Sequence, residues 1–119
     1  MDLNKMIERV KKNTDPSKVG MITSHLGVVR HTSRDGREVT GIEVAYEQEA
    51  LQAIICDIKQ MPGIAEVLVE TSEGCLKVGE EILAVVVAGD IRENVFPALV
   101  NAVNRIKKEA SKKKENIKE

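Results

Sequence analysis

The sequence predicts an α+β sandwich in which helices pack on a largely antiparallel sheet. Three observations carry that expectation. Apolar residues recur at helical spacing in three separate segments, β-branched runs fall in pairs between those segments, and one of the runs, ILAVVVAG, has almost no polar position on either face.

The first segment places Leu3, Met6, Ile7 and Val10 at i, i+3, i+4 and i+7 behind Asp2, the spacing of a short amphipathic helix with its capping residue. TDPSK then breaks it. Residues 19 to 31 and 38 to 46 are rich in β-branched side chains, and Asp35-Gly36 between them is a hairpin signal, so the two are expected to pair antiparallel. Between Gln48 and Gln60, Leu51, Ile54, Ile55 and Ile58 return to helical spacing, and Met61-Pro62-Gly63 stops the helix. IAEVLVE and EEILAVVVAG follow as strands, the second expected at the sheet centre with cover on both faces. A long helix starts near residue 94, with Asn94 rather than Asp90 as its cap, because only then does Pro97 fall in the first turn, where a missing N–H costs nothing. The lysine-rich end, 112–119, has no apolar periodicity and is expected to be flexible. Helix, two strands, helix, two strands, helix is the order of a ferredoxin-like sandwich in a single domain spanning 1–119.

Composition narrows the function. With 119 residues the chain is long enough to bury a core unaided. A net charge of −1 with 31% charged residues argues against broad electrostatic attraction to nucleic acid or membrane, and 2% aromatics leaves little for base stacking. Cys56 and Cys75 form no C-x-x-C pair and read as buried thiols of a reducing, cytoplasmic compartment. No metal-ligand spacing and no phosphate-binding glycine loop appears, so neither a metal nor a cofactor is expected.

Two cations stand out. Arg92 lies in GDIRENVFP, before free N–H groups at a helix amino end, and is either a solvated turn residue or the ligand of an anion. In the last helix, Val95, Leu99, Ala102, Val103, Ile106 and Ala110 form an apolar stripe, and Lys107 projects at its margin while Arg105, Lys108 and Lys112 project to the opposite side. A marginal lysine snorkels, or else lines a cleft where partial desolvation beside other cations loosens its proton. Arg30, His31, Arg34 and Arg37 form a second basic cluster around the first turn.

The stretches GVVR (27–30), AYEQEAL (45–51), MPGIAEV (61–67) and GCLKVGEE (74–81), with the apolar strand, Arg92 four before Phe96, and lysines at 107 and 114, resemble the catalytic large subunit of molybdopterin synthase, the MoaE family. The resemblance covers most of residues 18 to 115 and implies a hammerhead form of the sandwich. It implies a homodimer that docks two copies of a small ubiquitin-like sulfur carrier, forming a heterotetramer. The carrier's thiocarboxylated Gly-Gly tail enters a pocket and passes sulfur to cyclic pyranopterin monophosphate, giving molybdopterin. It further implies that Arg30 and Arg92 hold this pterin phosphate substrate and that Lys107 and Lys114 act at the sulfur-transfer centre. The chain departs from the pattern at Ile91, where the family usually has histidine, at Thr71 and Ser72, where a His-Arg pair is usual, and in ASKKKE, where Lys113 or Lys114 can match the second lysine. The other reading is therefore a non-catalytic MoaE-like module that binds a sulfur carrier or a pterin phosphate.

Overall fold

A computed structural model describes all 119 residues. Helix α1 (Leu3–Lys12) is capped by Asp2, whose carboxylate accepts from the Lys5 N–H, and it buries Met6 and Val10. After a single 3-10 turn (Pro16–Lys18) come β1 (Met21–Val28), β2 (Val39–Tyr46), α2 (Gln48–Lys59), β3 (Ile64–Thr71), β4 (Gly74–Lys77), β5 (Glu81–Gly89), α3 (Arg92–Arg105), a π-helical turn (Ile106–Ala110) and β6 (Ser111–Ile117).

The class is as expected, α+β with antiparallel pairing, but the strands divide into two sheets ordered β1-β5-β3 and β4-β2-β6. β5 is the centre of the first, covered on both sides. Its Leu83, Val85 and Val87 point into the main core, while Ala84, Val86 and Ala88 pack against Met6 and Val10 of α1. The main core is closed by Leu51, Ile54 and Ile58 of α2, by Val95, Ala98, Ala102 and Val103 of α3, and by the inner face of β2.

Three expectations are corrected. β1 and β2 do not form a hairpin: the Asp35-Gly36 turn exists, with Gly36 at φ +89°, but only Thr32 and Glu38 bridge beside it, and the strands then part into different sheets. Turn chemistry determines a local reversal; the partner of each strand is chosen by which apolar face it can cover. The lysine-rich end is not a frayed tail but β6, paired along β2 from Val39↔Ile117 to Tyr46↔Ser111. Pairing with a buried strand supplies what the tail's own composition lacks. Cys56 and Cys75 are exposed free thiols, because Cys56 lies off the apolar stripe of α2 and Cys75 on the outer side of β4.

Candidate functional site

Where the two sheets meet, a cavity of about 540 Å³ opens between the end of β1, the start of β5, the inner face of β2 and the π-helical turn with β6. Its apolar wall is Val29, Ile42, Val44 and Leu83; its polar groups are Arg30, Arg34, Tyr46, Lys107, Ser111, Lys113 and Glu115. This is the size and make-up of a small-ligand pocket, with four cations against one carboxylate.

Each cation has a local reason for being there. Arg30 follows directly on the strand β1 and Val29, which is buried. Arg34 sits in a turn that is braced by its neighbours: the Ser33 hydroxyl donates to Asp35, the Arg37 N–H reaches the Ser33 oxygen at 3.1 Å, and Arg37 Nε donates to Asp35 at 2.8 Å. These contacts hold the Asp35 carboxyl down at about 2 and keep Arg37 occupied. His31 in turn faces Glu38 at 3.6 Å. Of the basic cluster seen in the sequence, Arg30 and Arg34 are thus the two that line the cavity.

Lys107 is positioned by the π-helical turn. The Ser111 N–H bonds to the Ile106 carbonyl five residues back, the Ser111 hydroxyl donates to the Lys107 carbonyl at 3.3 Å, and the Glu47 N–H takes the Ala110 carbonyl at 2.9 Å. Ile106 and Ala110 are buried and anchor the turn from below. The Lys107 side chain is exposed to the cavity solvent, but its ammonium is partly desolvated by the walls. That desolvation, with Lys113, Arg34 and Arg30 nearby, lowers its pKa from the ordinary lysine value.

The second lysine follows from strand geometry. At Ser111 the backbone becomes extended, so residues alternate across β6 instead of advancing around a helix. Ser111, Lys113 and Glu115 pair with Tyr46, Val44 and Ile42 and share their cavity face; Lys112 and Lys114 pair with Ala45 and Glu43 and face outward. Lys114, which the resemblance sets with Lys107 at the sulfur-transfer centre, is therefore on the opposite side of the sheet, and Lys113, the other lysine that can match, is the one in the cavity. Tyr46 completes the wall. Its N–H is held by Glu73 at 3.1 Å, and burial followed by the Glu73 charge pushes its hydroxyl up to about 12, so it stays protonated at neutral pH.

Arg92 is elsewhere. It is the first residue of α3, whose cap position is Ile91; Asp90 accepts from the Ile91 N–H at 2.7 Å and from the Asn94 side chain at 2.9 Å, and Pro97 lies within the helix. Arg92 lines a shallow surface depression with Gly20, Met21, Ile91, Glu93 and Phe96. That is the Met21 end of β1, whereas Arg30 is beyond its Val28 end, a strand length of about 23 Å away. One chain does not bring Arg92 to the cavity. Sequence reasoning did not single out Lys113, Tyr46, Ser111 or Glu115 as one constellation, and the available signal was weak: the alternation in SKKKENI becomes meaningful only when β2 is its partner.

The sequence model of the MoaE protein family matches residues 1–109. The chain belongs to the MoaE family. Solved structures share the fold: molybdopterin synthase from Staphylococcus aureus is 19% identical with a TM-score of 0.77, over 95% of this chain and 85% of that one. A MoaE protein from Burkholderia ambifaria is 22% identical with a TM-score of 0.79, over 98% and 82%. A complex of subunits 1 and 2 of molybdopterin-converting factor from Helicobacter pylori aligns at 17% identity and a TM-score of 0.71, over 98% and 80%. No curated protein sequence matches the chain. The MoaE match ends at residue 109, so Lys107 falls within it and β6 with Lys113 falls beyond it. No helix is long and apolar enough to cross a membrane.

Proposed function

We propose that this MoaE protein works in molybdenum cofactor biosynthesis as the large subunit of a molybdopterin synthase, and that the cavity is where sulfur passes from a thiocarboxylated carrier to cyclic pyranopterin monophosphate. The observation that carries this reading is the convergence of Arg30, Arg34, Lys107 and Lys113 on one pocket. Both reactants bring anionic groups, a thiocarboxylate and a phosphate, and a pocket walled by cations with partial apolar cover suits them. Lys107, with its basicity lowered, exchanges a proton more readily than a solvated lysine and is the residue assigned to the transfer step. Of the two lysines that can match the family's second lysine, Lys113 lines the cavity and is assigned that role.

Arg92 contributes in a homodimer. Its distance from the cavity within one chain, and the exposed apolar residues Ile91, Phe96 and Val100 around it, fit a surface that meets a second copy and delivers Arg92 to the partner's pocket. The small ubiquitin-like carrier then docks on the large subunit, its Gly-Gly tail reaching the cavity; that a complex of subunits 1 and 2 exists for the Helicobacter pylori factor supports a partner subunit.

The second reading, a binding module without turnover, is favoured by Ile91, which provides no proton donor beside Arg92. Reconstitution separates the two. The protein is mixed with thiocarboxylated carrier and cyclic pyranopterin monophosphate and molybdopterin is measured, with Lys107→Met beside the solvent-side control Lys108→Met. Product from the parent and the control, with loss in Lys107→Met, supports transfer; carrier binding without product from the parent supports the module.

A further inference from the structure

The His25 side chain makes no hydrogen bond and no ion pair. It lies in β1 opposite Val85, a fully buried residue of β5, and so points to the core side of the sheet. Two residues on, Gly27 lies on the same face and lines the cavity. A Cβ at Gly27 would come within 3.2 Å of His25 Nε2, so the glycine leaves the imidazole its room immediately behind the cavity wall. That Nε2 is sealed from solvent and has no hydrogen-bond partner, the one side-chain nitrogen or oxygen in the chain of which this is true. A buried polar atom left unpaired is costly, so the arrangement calls for a hydrogen-bond partner, a donor when the ring proton is on Nδ1.

Lys107 can be that donor. It takes part in none of the chain's ion pairs, it stands on the same cavity, and its flexible stem lets the ammonium turn inward. We propose that His25 is a positioning residue for Lys107: its Nε2 lone pair, directly or through one water, accepts a hydrogen bond from the Lys107 ammonium and fixes it against the cavity wall.

The proposal requires a neutral imidazole with its proton on Nδ1. Burial and then the Lys107 charge lower the His25 pKa from its usual 6.5, so the ring is neutral at pH 7, in keeping with this role. The facing groups are Val85 from β5, which is uncharged, and Lys107 from the π-helical turn that follows α3, itself flanked by Lys113, Arg34 and Arg30. Below its lowered pKa the ring gains a proton, loses the accepting lone pair and repels the ammonium. The bond therefore exists above that pKa and is lost as pH falls through it.

The inference rests on the reading of Lys107 as the site lysine only for its consequence in turnover; the contact is testable with neither carrier nor pterin. Long-range 15N spectra of the histidine rings, followed against pH in the parent and in Lys107→Met, report tautomer and midpoint. Expected are the Nδ1–H tautomer at pH 7 and a midpoint below 6.5 that rises in Lys107→Met. An Nε2–H tautomer, or a midpoint indifferent to Lys107, overturns the proposal. Acetylation of Lys107 by acetic anhydride at pH 8, quantified by mass spectrometry, gives the reverse view. An accepted hydrogen bond favours the ammonium, so His25→Phe should speed acetylation roughly two- to tenfold, while His25→Gln, which keeps an acceptor, should stay near the parent. Equal rates in all three proteins, or equal acceleration in both variants, means that His25 acts through packing or water alone and overturns the assignment.

Discussion

Lys113 stands opposite Val44 in the β6–β2 ladder, and this single register puts its side chain on the cavity face with Lys107. A shift of one residue would exchange it for Lys112 or Lys114. The site therefore depends on β6 being a formed strand.

Hydrogen exchange checks that directly. The alternate amides of β6 that bond to β2 should exchange together with those of β2, far more slowly than in an unstructured lysine-rich peptide. Ending the chain after Ala110 should also lower the melting temperature, because it uncovers one edge of β2. Exchange in β6 at the unstructured rate would remove Lys113 from the site.

Lys107 makes stability depend on pH in a defined direction. Its folded pKa lies below the unfolded 10.5, so between the two the unfolded chain binds more protons and stability rises with pH. The cost of holding the charged ammonium in the cavity is fully present below the folded pKa and is relieved as pH rises through it toward 10.5. Lys107→Met lacks this term. Urea midpoints should show the parent gaining stability relative to the variant between pH 7 and pH 10.5; a difference that stays constant with pH would show that the ammonium is not desolvated.

How far the sequence led can be seen at these same residues. The periodicity of the last helix located Val95, Ala102, Val103, Ile106 and Ala110 in the core and left Lys107 at the margin, because every one of those choices is made within a few turns of one helix. β5 was legible for a similar reason, since a run without polar positions has to be covered on both faces. Partners were not legible. The Asp35-Gly36 turn suggested that β1 pairs with β2, yet β1 runs beside β5, and nothing local in SKKKENI announces a strand until β2 is set beside it. The cap of α3 is Ile91, three residues before the Asn94 that Pro97 suggests, because Pro97 is tolerated inside α3 with Asp90 holding the first turn through Asn94. Which of Lys113 and Lys114 faces the cavity was not legible either, because past the π-helical turn the chain becomes extended and its register is set by β2.

The separation of Arg92 from the cavity gives the homodimer a sharp test. If each pocket takes Lys107 from one protomer and Arg92 from the other, Arg92→Ala and Lys107→Met chains are each inactive alone. Mixed by unfolding and refolding together, they form heterodimers with one intact pocket, and random pairing restores about a quarter of the parental sites. Sedimentation should show dimers throughout. No recovery on mixing, or an active monomer, would place Arg92 outside the pocket.

The most direct measurement compares Lys113→Met with Lys114→Met in the formation of molybdopterin from thiocarboxylated carrier and cyclic pyranopterin monophosphate. The two lysines are neighbours in sequence and differ only in the face of β6 they occupy. Loss of a charge-assisted contact made in the transition state, about 1.5 to 3 kcal/mol, should slow Lys113→Met roughly ten- to more than a hundredfold, while Lys114→Met turns over like the parent. A slow Lys114→Met beside an unimpaired Lys113→Met would contradict the cavity as the site of sulfur transfer.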